Sequence, residues 1–229
     1  MAVLSAVLFD LDGTLLDCIV PIEGIFIGTV ERLGINVTET GKKDVAENLR
    51  KILLQGHSPF DGLRMLWRVG HYLGMVPHKR AAMIVFAYRS FRDAFFASPL
   101  FPGASEVLET LKGRGMALGI VTTRSYKEAS YVLKRHSIDL YFDVIVSRDL
   151  VGRGKPHPDP VVYALRKMGV CPDQAVMVGD MPTDIEAGKA AGTKTIGLTI
   201  GIFNDALRES GADLIAESLL DVPRLVDAL

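Results

Sequence analysis

Four aspartates fall in two short segments, each placed directly after an apolar run. Asp10-Leu11-Asp12-Gly13-Thr14 follows Ala-Val-Leu-Phe, and Gly179-Asp180-Met181-Pro182-Thr183-Asp184 follows Ala175–Val178. A carboxylate can attack phosphorus as a nucleophile and form an acyl-phosphate. A second carboxyl nearby can protonate the leaving oxygen and then deprotonate the attacking water. One residue separates Asp10 from Asp12, so on extended backbone their side chains could share a face. Gly13 lets the chain turn sharply with its backbone close to a ligand. The same residues could merely close a strand with an Asx-type turn. An EF-hand calcium loop is a poorer fit, because this glycine comes too early. Asp184, four residues past Asp180, falls near the start of a helix, where it could equally act as an N-cap or first-turn acid. If all four carboxylates converge, like charges repel strongly in a partly dry cleft. A hard cation with oxygen ligands resolves that repulsion. Magnesium fits best, held by few carboxylates, waters and a substrate phosphate oxygen.

Two further residues join this set. Thr122 ends the apolar run Ala117–Val121. Its hydroxyl and the amide of Thr123 could donate hydrogen bonds to phosphate oxygens, although a β-branched residue closing a strand is the plainer role. Lys155 stands in Gly152-Arg153-Gly154-Lys155-Pro156. Its ammonium could hold a nucleophilic carboxylate and a phosphate together; a lone loop lysine is otherwise solvated. Pro156 and Pro158 would stiffen that loop and start the next helix.

The elements that must position these residues are legible as an alternation. Short apolar runs at the N-terminus (ending at Phe9), Ala117–Val121, Asp143–Val146, Ala175–Val178 and Thr195–Leu198 read as buried strands. Helical patterns separate them at Ala104–Arg114, Tyr126–Arg135, Pro160–Met168 and Ile185–Ala191. Alternating strands and helices predict an α/β fold, a Rossmann-like parallel sheet in a three-layer αβα core. In such a sheet ligands bind beyond the carboxyl ends of the strands, where each candidate residue falls. The segment 18–98 breaks the alternation. It shows helical patterns, such as Lys42–Leu54 and Leu63–Leu73, and no convincing strand. It reads as an inserted α-helical cap domain, bounded by Pro21 on one side and by Pro99 with Pro102-Gly103 on the other. The core is then discontinuous, 1–17 and 99–229.

Composition excludes other classes. The 229 residues are 48% hydrophobic and 23% charged, with a formal net charge of −1. Disorder is excluded by that apolar content, and no basic excess recommends nucleic acid or an anionic membrane. The insert holds 11 Lys and Arg against 7 Asp and Glu, and the remainder 15 against 20. A basic lid over an acidic base would suit an anionic ligand with a cation; chance variation between solvated faces would look the same. Cys18 and Cys171 are far apart and form no CxxC pair, so reduced thiols are expected. Cys18 reads as a small buried thiol, and Trp67 with Leu66 as core of the cap. The opening apolar run lacks the basic start of a signal peptide, and no stretch is long enough to span a bilayer. A cytoplasmic protein, monomer or homodimer, is expected.

Two carboxylates, a threonine, a lysine and two more carboxylates, in that order, resemble the haloacid dehalogenase-like hydrolase superfamily. The resemblance covers roughly residues 1–17 and 99–229. It extends to Lys155-Pro156-His157-Pro158-Asp159-Pro160 and to Ala187-Gly188-Lys189-Ala190-Ala191-Gly192. The chain is most similar to the phosphoglycolate phosphatase-like and β-phosphoglucomutase-like branch, whose helical cap is inserted at the same place. The resemblance implies Asp10 as nucleophile and Mg2+ ligand. It implies Asp12 as general acid and base, with its carbonyl a further ligand. Asp180 would bind the metal, with Asp184 beside it, and Thr122, Thr123 and Lys155 would bind the transferring phosphoryl group. An acid at position 12 fits an alkoxide leaving group, and so a phosphate ester or anhydride of a small metabolite. Gly56, His57 and Arg64 occupy the stretch where this branch often keeps a substrate-specificity loop; Arg50 and Lys51 lie nearby. A phosphomutase, an inorganic pyrophosphatase and a non-catalytic phospho-ligand binding protein are the alternatives to a phosphatase.

Overall fold

The computed structural model describes residues 3–17, 28, 31–32, 67–68, 70–71, 74–200 and 204–229, with 87–95 and 204 described by backbone alone. Two compact units emerge, one formed by Met1–Asp17 with Pro99–Leu229, the other by Cys18–Ser98.

The first unit is built on a parallel sheet of six strands: β1 (Ala6–Phe9), β2 (Ala117–Val121), β3 (Val144–Val146), β4 (Ala175–Gly179), β5 (Lys194–Leu198) and β6 (Leu214–Ala216). Their order is β3-β2-β1-β4-β5-β6. Helices cover both faces of the sheet, which is why β1 is buried at every position and reads as an unbroken apolar run rather than an alternating one. Ala6 of β1 is flanked by Ala117 and Ala175, and Phe9 by Ile120 and Val178. The chain runs outward from β1 to β3, then returns to the other side of β1 to start β4. That reversal makes a switch point between β1 and β4, the place where open α/β sheets bind ligands.

Chain order after β1 brings α1 (Pro77–Ala97, in the second unit), then α2 (Ala104–Gly113), α3 (Tyr126–Arg135), α4 (Asp159–Met168), α5 (Pro182–Ala191), α6 (Asn204–Glu209) and α7 (Val222–Val226). Each core helix buries one stripe. In α2 it is Ala104, Val107, Leu108 and Leu111, the spacing of a helix face laid on a sheet. In α3 it is Ala129, Val132 and Leu133. Ser125 starts α3 with a capping box: its hydroxyl accepts from the Glu128 amide at 3.3 Å, while the Glu128 carboxylate accepts from the Ser125 amide at 2.9 Å.

The expected α/β class, parallel sheet and helical connections are those of the structure. β6 was not anticipated. It has three residues, too few for any periodicity, and its pairing with β5 makes it a strand. In the second unit, Trp67 is 42% exposed rather than core; one face of its ring is covered by the Arg80 guanidinium, 5.4 Å from the centroid. Arg80 is itself anchored on the Met75 carbonyl at 2.6 Å. Cys171 is an exposed free thiol, and Cys18, Leu66 and the Lys42–Leu54 pattern lie outside the described residues. Among the described residues no helix is long and apolar enough to cross a membrane.

The points where the chain leaves and re-enters the first unit are sewn together within it. The Asp17 amide donates to the Pro99 carbonyl at 2.9 Å, the Phe101 amide donates to the Leu15 carbonyl at 2.9 Å, and Leu16 pairs antiparallel with Leu100.

Candidate active site

The site is assembled from the carboxyl ends of β1, β2 and β4 and from the loop before α4. β1 delivers Asp10, whose amide continues the ladder by donating to the Val178 carbonyl at 2.9 Å. The chain then folds back on itself. The Leu15 and Leu16 amides donate to the Leu11 carbonyl at 3.0 and 2.9 Å, and the Gly13 amide donates to the Leu16 carbonyl at 2.8 Å. Leu11, Leu15 and Leu16 are wholly buried and pin this loop to the core. Gly13 has a φ of +85°, and a Cβ there would collide with the Asp180 carboxylate. Only glycine meets both demands. Thr14, also wholly buried, donates its hydroxyl to Asp180 Oδ1 at 3.1 Å, joining the β1 loop to the β4 loop.

β4 delivers Asp180, and α5 begins two residues later. Asp184 stands in the first turn of α5, and its Oδ2 accepts from the Met181 amide at 3.1 Å. It therefore does cap its helix. The other oxygen, Oδ1, faces Lys155 Nζ at 2.5 Å, an ion pair by distance, and makes no hydrogen bond of good geometry. Gly179 makes room for it, since a Cβ at 179 would overlap the Asp184 side chain.

Lys155 reaches in from the loop before α4, with its side chain 5% exposed. Nζ donates to Asp10 Oδ1 at 2.5 Å and to the Val121 carbonyl at 3.1 Å. The loop is braced by its own contacts: His157 Nδ1 lies 2.9 Å from Asp159 Oδ1, Arg153 Nε donates to Asp159 Oδ2 at 3.1 Å, and the His157 amide donates to the Gly154 carbonyl at 2.9 Å.

Asp10, Asp180 and Asp184 are all buried, and each offers an oxygen within 4.8 Å of the others. Burial pushes the Asp10 carboxyl from 3.8 up to about 7; the Lys155 charge opposes this, and the charges of Asp184 and Asp12 add to it. Asp180 is pushed well above the carboxylate range by burial, then by the charges of Asp10 and Asp184. Burial alone would depress Lys155, but the Asp10 and Asp184 carboxylates outweigh it, and its ammonium is held charged. With all three carboxylates ionised, the one ammonium would leave two negative charges in a dry site, which is why burial favours the protonated forms of Asp10 and Asp180. A divalent cation brings the cluster to neutrality where a monovalent one does not, so the donor set fits a small divalent ion bound by oxygen.

Thr122 lies at the end of β2, buried, its amide on the Val146 carbonyl at 2.9 Å. Its hydroxyl oxygen accepts from the Arg124 amide at 3.1 Å, a bond that leaves the hydroxyl proton for another acceptor. Thr123 is exposed. The Asp12 carboxylate is not part of the acidic triad. It is gripped by Arg124, a residue the sequence did not single out. Nε donates to Oδ1 at 3.0 Å and Oδ2 at 2.7 Å, and Nη2 donates to Oδ1 at 2.5 Å. In sequence Arg124 looks like any loop arginine, and nothing local marks it as buried and paired. Gly56, His57 and Arg64 lie outside the described residues.

Comparison with known proteins identifies the family. A family model for haloacid dehalogenase-like hydrolases matches residues 7–198, and the chain belongs to that family. Within it, the chain is 38% identical to phosphoglycolate phosphatase of Escherichia coli (strain K12) over 124 residues, 54% of this chain and 49% of that protein. It is 36% identical over the same length to phosphoglycolate phosphatase of Salmonella choleraesuis (strain SC-B67). The chain thus spans about half the length of the curated relatives it matches. Among solved structures it resembles a predicted phosphoglycolate phosphatase from Haemophilus somnus 129pt, with a TM-score of 0.77, 25% identity and coverage of 98% and 99% of the two chains. A family hydrolase from Deinococcus radiodurans R1, with bound phosphate and sodium, shares the fold at a TM-score of 0.80 and 23% identity, covering 100% of this chain and 97% of that one.

Proposed function

We propose that this protein is a magnesium-dependent phosphatase that cleaves small phosphate monoesters through an aspartyl-phosphate on Asp10. The observation that carries the proposal is the clasp of Lys155 between Asp10 and Asp184, set in a buried acidic triad at the sheet's switch point. A carboxylate so placed has one oxygen held by an ammonium, which fixes its orientation toward an incoming phosphorus. Lys155 carries a positive charge that can remain on the phosphoryl oxygens as negative charge spreads over them. Thr122 offers a hydroxyl proton to the same oxygens. Asp12 protonates the leaving alcohol and then takes a proton from the water that opens the acyl-phosphate.

Asp10, Asp180 and Asp184 would hold the metal, with the Asp12 carbonyl as a further oxygen. When bound, the ion supplies Lewis-acid charge stabilisation and lets Asp10 remain ionised. Magnesium is favoured over calcium because its tight octahedral shell leaves a carboxylate one-point bound. Phosphoglycolate is the first substrate to test, since both curated relatives carry that activity in their names.

Phosphate release should be measured over phosphoglycolate, sugar phosphates, nucleotides and pyrophosphate. Turnover is expected with magnesium, to be lost on chelation, and to fall by at least ~1,000-fold in Asp10→Asn, as expected when a nucleophile is removed. Full activity after exhaustive chelation, or Asp10→Asn within a few fold of the parent, would sink the proposal.

A further inference from the structure

We propose that Arg124 is a positioning residue that fixes the aim of Asp12 for proton transfer to the leaving group. The inference rests on Asp12 being the acid and base of the phosphatase reaction. Arg124 is 7% exposed and the Asp12 side chain 20%. Three N–H···O contacts of 2.5 to 3.0 Å join Nε and Nη2 to both carboxylate oxygens, a two-point fork that fixes the plane of the carboxylate and not merely its position.

The guanidinium is launched from a braced loop. The Arg124 amide donates to the Thr122 hydroxyl at 3.1 Å, and its carbonyl accepts from the Arg148 amide at 3.1 Å. The next residue is Ser125, whose capping box with Glu128 opens α3. A buried ion pair of this kind stabilises a fold only weakly, since desolvation offsets most of the attraction. Orientation is what it supplies. Asp12 sits on the loop after β1 and Arg124 on the loop after β2, so the fork ties together two loops that the reaction needs in register.

The phosphorus–oxygen bond of the ester breaks with its electron pair going to the leaving oxygen, while an Asp10 oxygen bonds phosphorus. The proton of the Asp12 carboxyl goes to the leaving oxygen, giving the free alcohol. Water then attacks phosphorus, the Asp10–phosphorus bond breaks, and Asp12 takes the water proton, which restores both aspartates and releases phosphate. A leaving alkoxide depends on the aimed proton; a nitrophenolate leaves without one.

The test compares kcat/KM for an alkyl monoester, 2-phosphoglycolate, with that for 4-nitrophenyl phosphate, both with magnesium. Arg124→Gln should lower kcat/KM on the alkyl ester by about 30-fold or more, carried by kcat rather than KM, and on the aryl ester by about threefold or less. Arg124→Lys keeps the charge but loses the fork, and should recover part of the alkyl rate; it carries the test alone if the glutamine variant does not fold. In an Asp12→Asn background Arg124→Gln should cost less than about twofold, because its effect runs through Asp12. Equal losses on both esters, or a full further loss in the Asp12→Asn background, would overturn the inference while leaving the phosphatase reading intact. A parent inert toward both esters and the wider phosphate panel would take down the phosphatase reading, and this inference with it.

Discussion

Asp10 is held near neutrality by its surroundings, and this has a measurable sign. Its carboxyl sits at about 7 in the folded protein against an ordinary 3.8, so between those values the folded state keeps a proton that the unfolded state has lost. Stability from this group is therefore present at low pH and declines as pH rises through the window. Asp180 is shifted the same way. Without divalent cation, Asp10→Asn should melt higher than the parent at pH 8, by about 5 °C given roughly 3 °C per kcal/mol for a chain of this size. The gap should close toward pH 4, and magnesium should narrow it at pH 8 by stabilising the parent more. A variant that melts lower than the parent at pH 8 would show that the carboxylate is stabilising there and that the triad is not under strain. At this scale the sequence was informative wherever a polar residue interrupts an apolar run. Asp10, Thr122 and Asp180 are conspicuous because each ends a stretch that must be buried. Lys155 and Asp184 gained meaning from their order relative to those three. Arg124 had no such contrast, lying among polar loop residues, and only the folded chain brings it against Asp12.

One segment owes its placement to a residue with no functional group at all. The loop after β1 turns on Gly13, which has both a left-handed φ and the Asp180 carboxylate in the space a side chain would need. Gly13→Ala should destabilise the protein by about 2 kcal/mol or more, combining the backbone cost with displacement of Asp180. It should also weaken magnesium-induced stabilisation, read as the shift of melting temperature with added metal. An unchanged metal response in a destabilised variant would separate the turn from the metal site. The strands β2, β4 and β5 were legible because parallel strands buried on both faces give continuous apolar runs, and their ends were displaced by one residue at most; β1 ends at Phe9 as expected but starts at Ala6 rather than at the first residues. The helices α2 to α5 were legible from their spacing, though α5 starts at Pro182, earlier than its apolar pattern, because Pro182 and Asp184 form its first turn. The short elements β6, α6 and α7 fall below the length at which periodicity speaks, and neighbours rather than local sequence decide them.

At the scale of the whole molecule the candidate site is gathered in the unit formed by Met1–Asp17 and Pro99–Leu229. None of the described groups of the acidic triad, nor Thr122, Lys155 or Arg124, belongs to the other unit. We propose that the inserted unit governs substrate choice rather than bond-breaking. Its candidates, Gly56, His57 and Arg64, fall outside the described residues, so the case for them rests on sequence position and on the insert's balance of 11 basic against 7 acidic residues. His57→Ala and Arg64→Ala should shift relative kcat/KM among anionic substrates by about 10-fold, the worth of a charge-assisted contact near 1.4 kcal/mol, and leave a small aryl ester much less affected. A uniform loss on every substrate, together with a lower melting temperature, would mark the insert as a stabiliser only.

The stitching of 15–17 to 99–101 has a consequence for how this chain can be remodelled. The backbone partners on either side of the graft satisfy each other, so main-chain bonds within the first unit hold the two ends of the insertion side by side. A chimaera carrying a foreign module between Asp17 and Pro99 is therefore expected to keep this main-chain frame without redesign of the sheet.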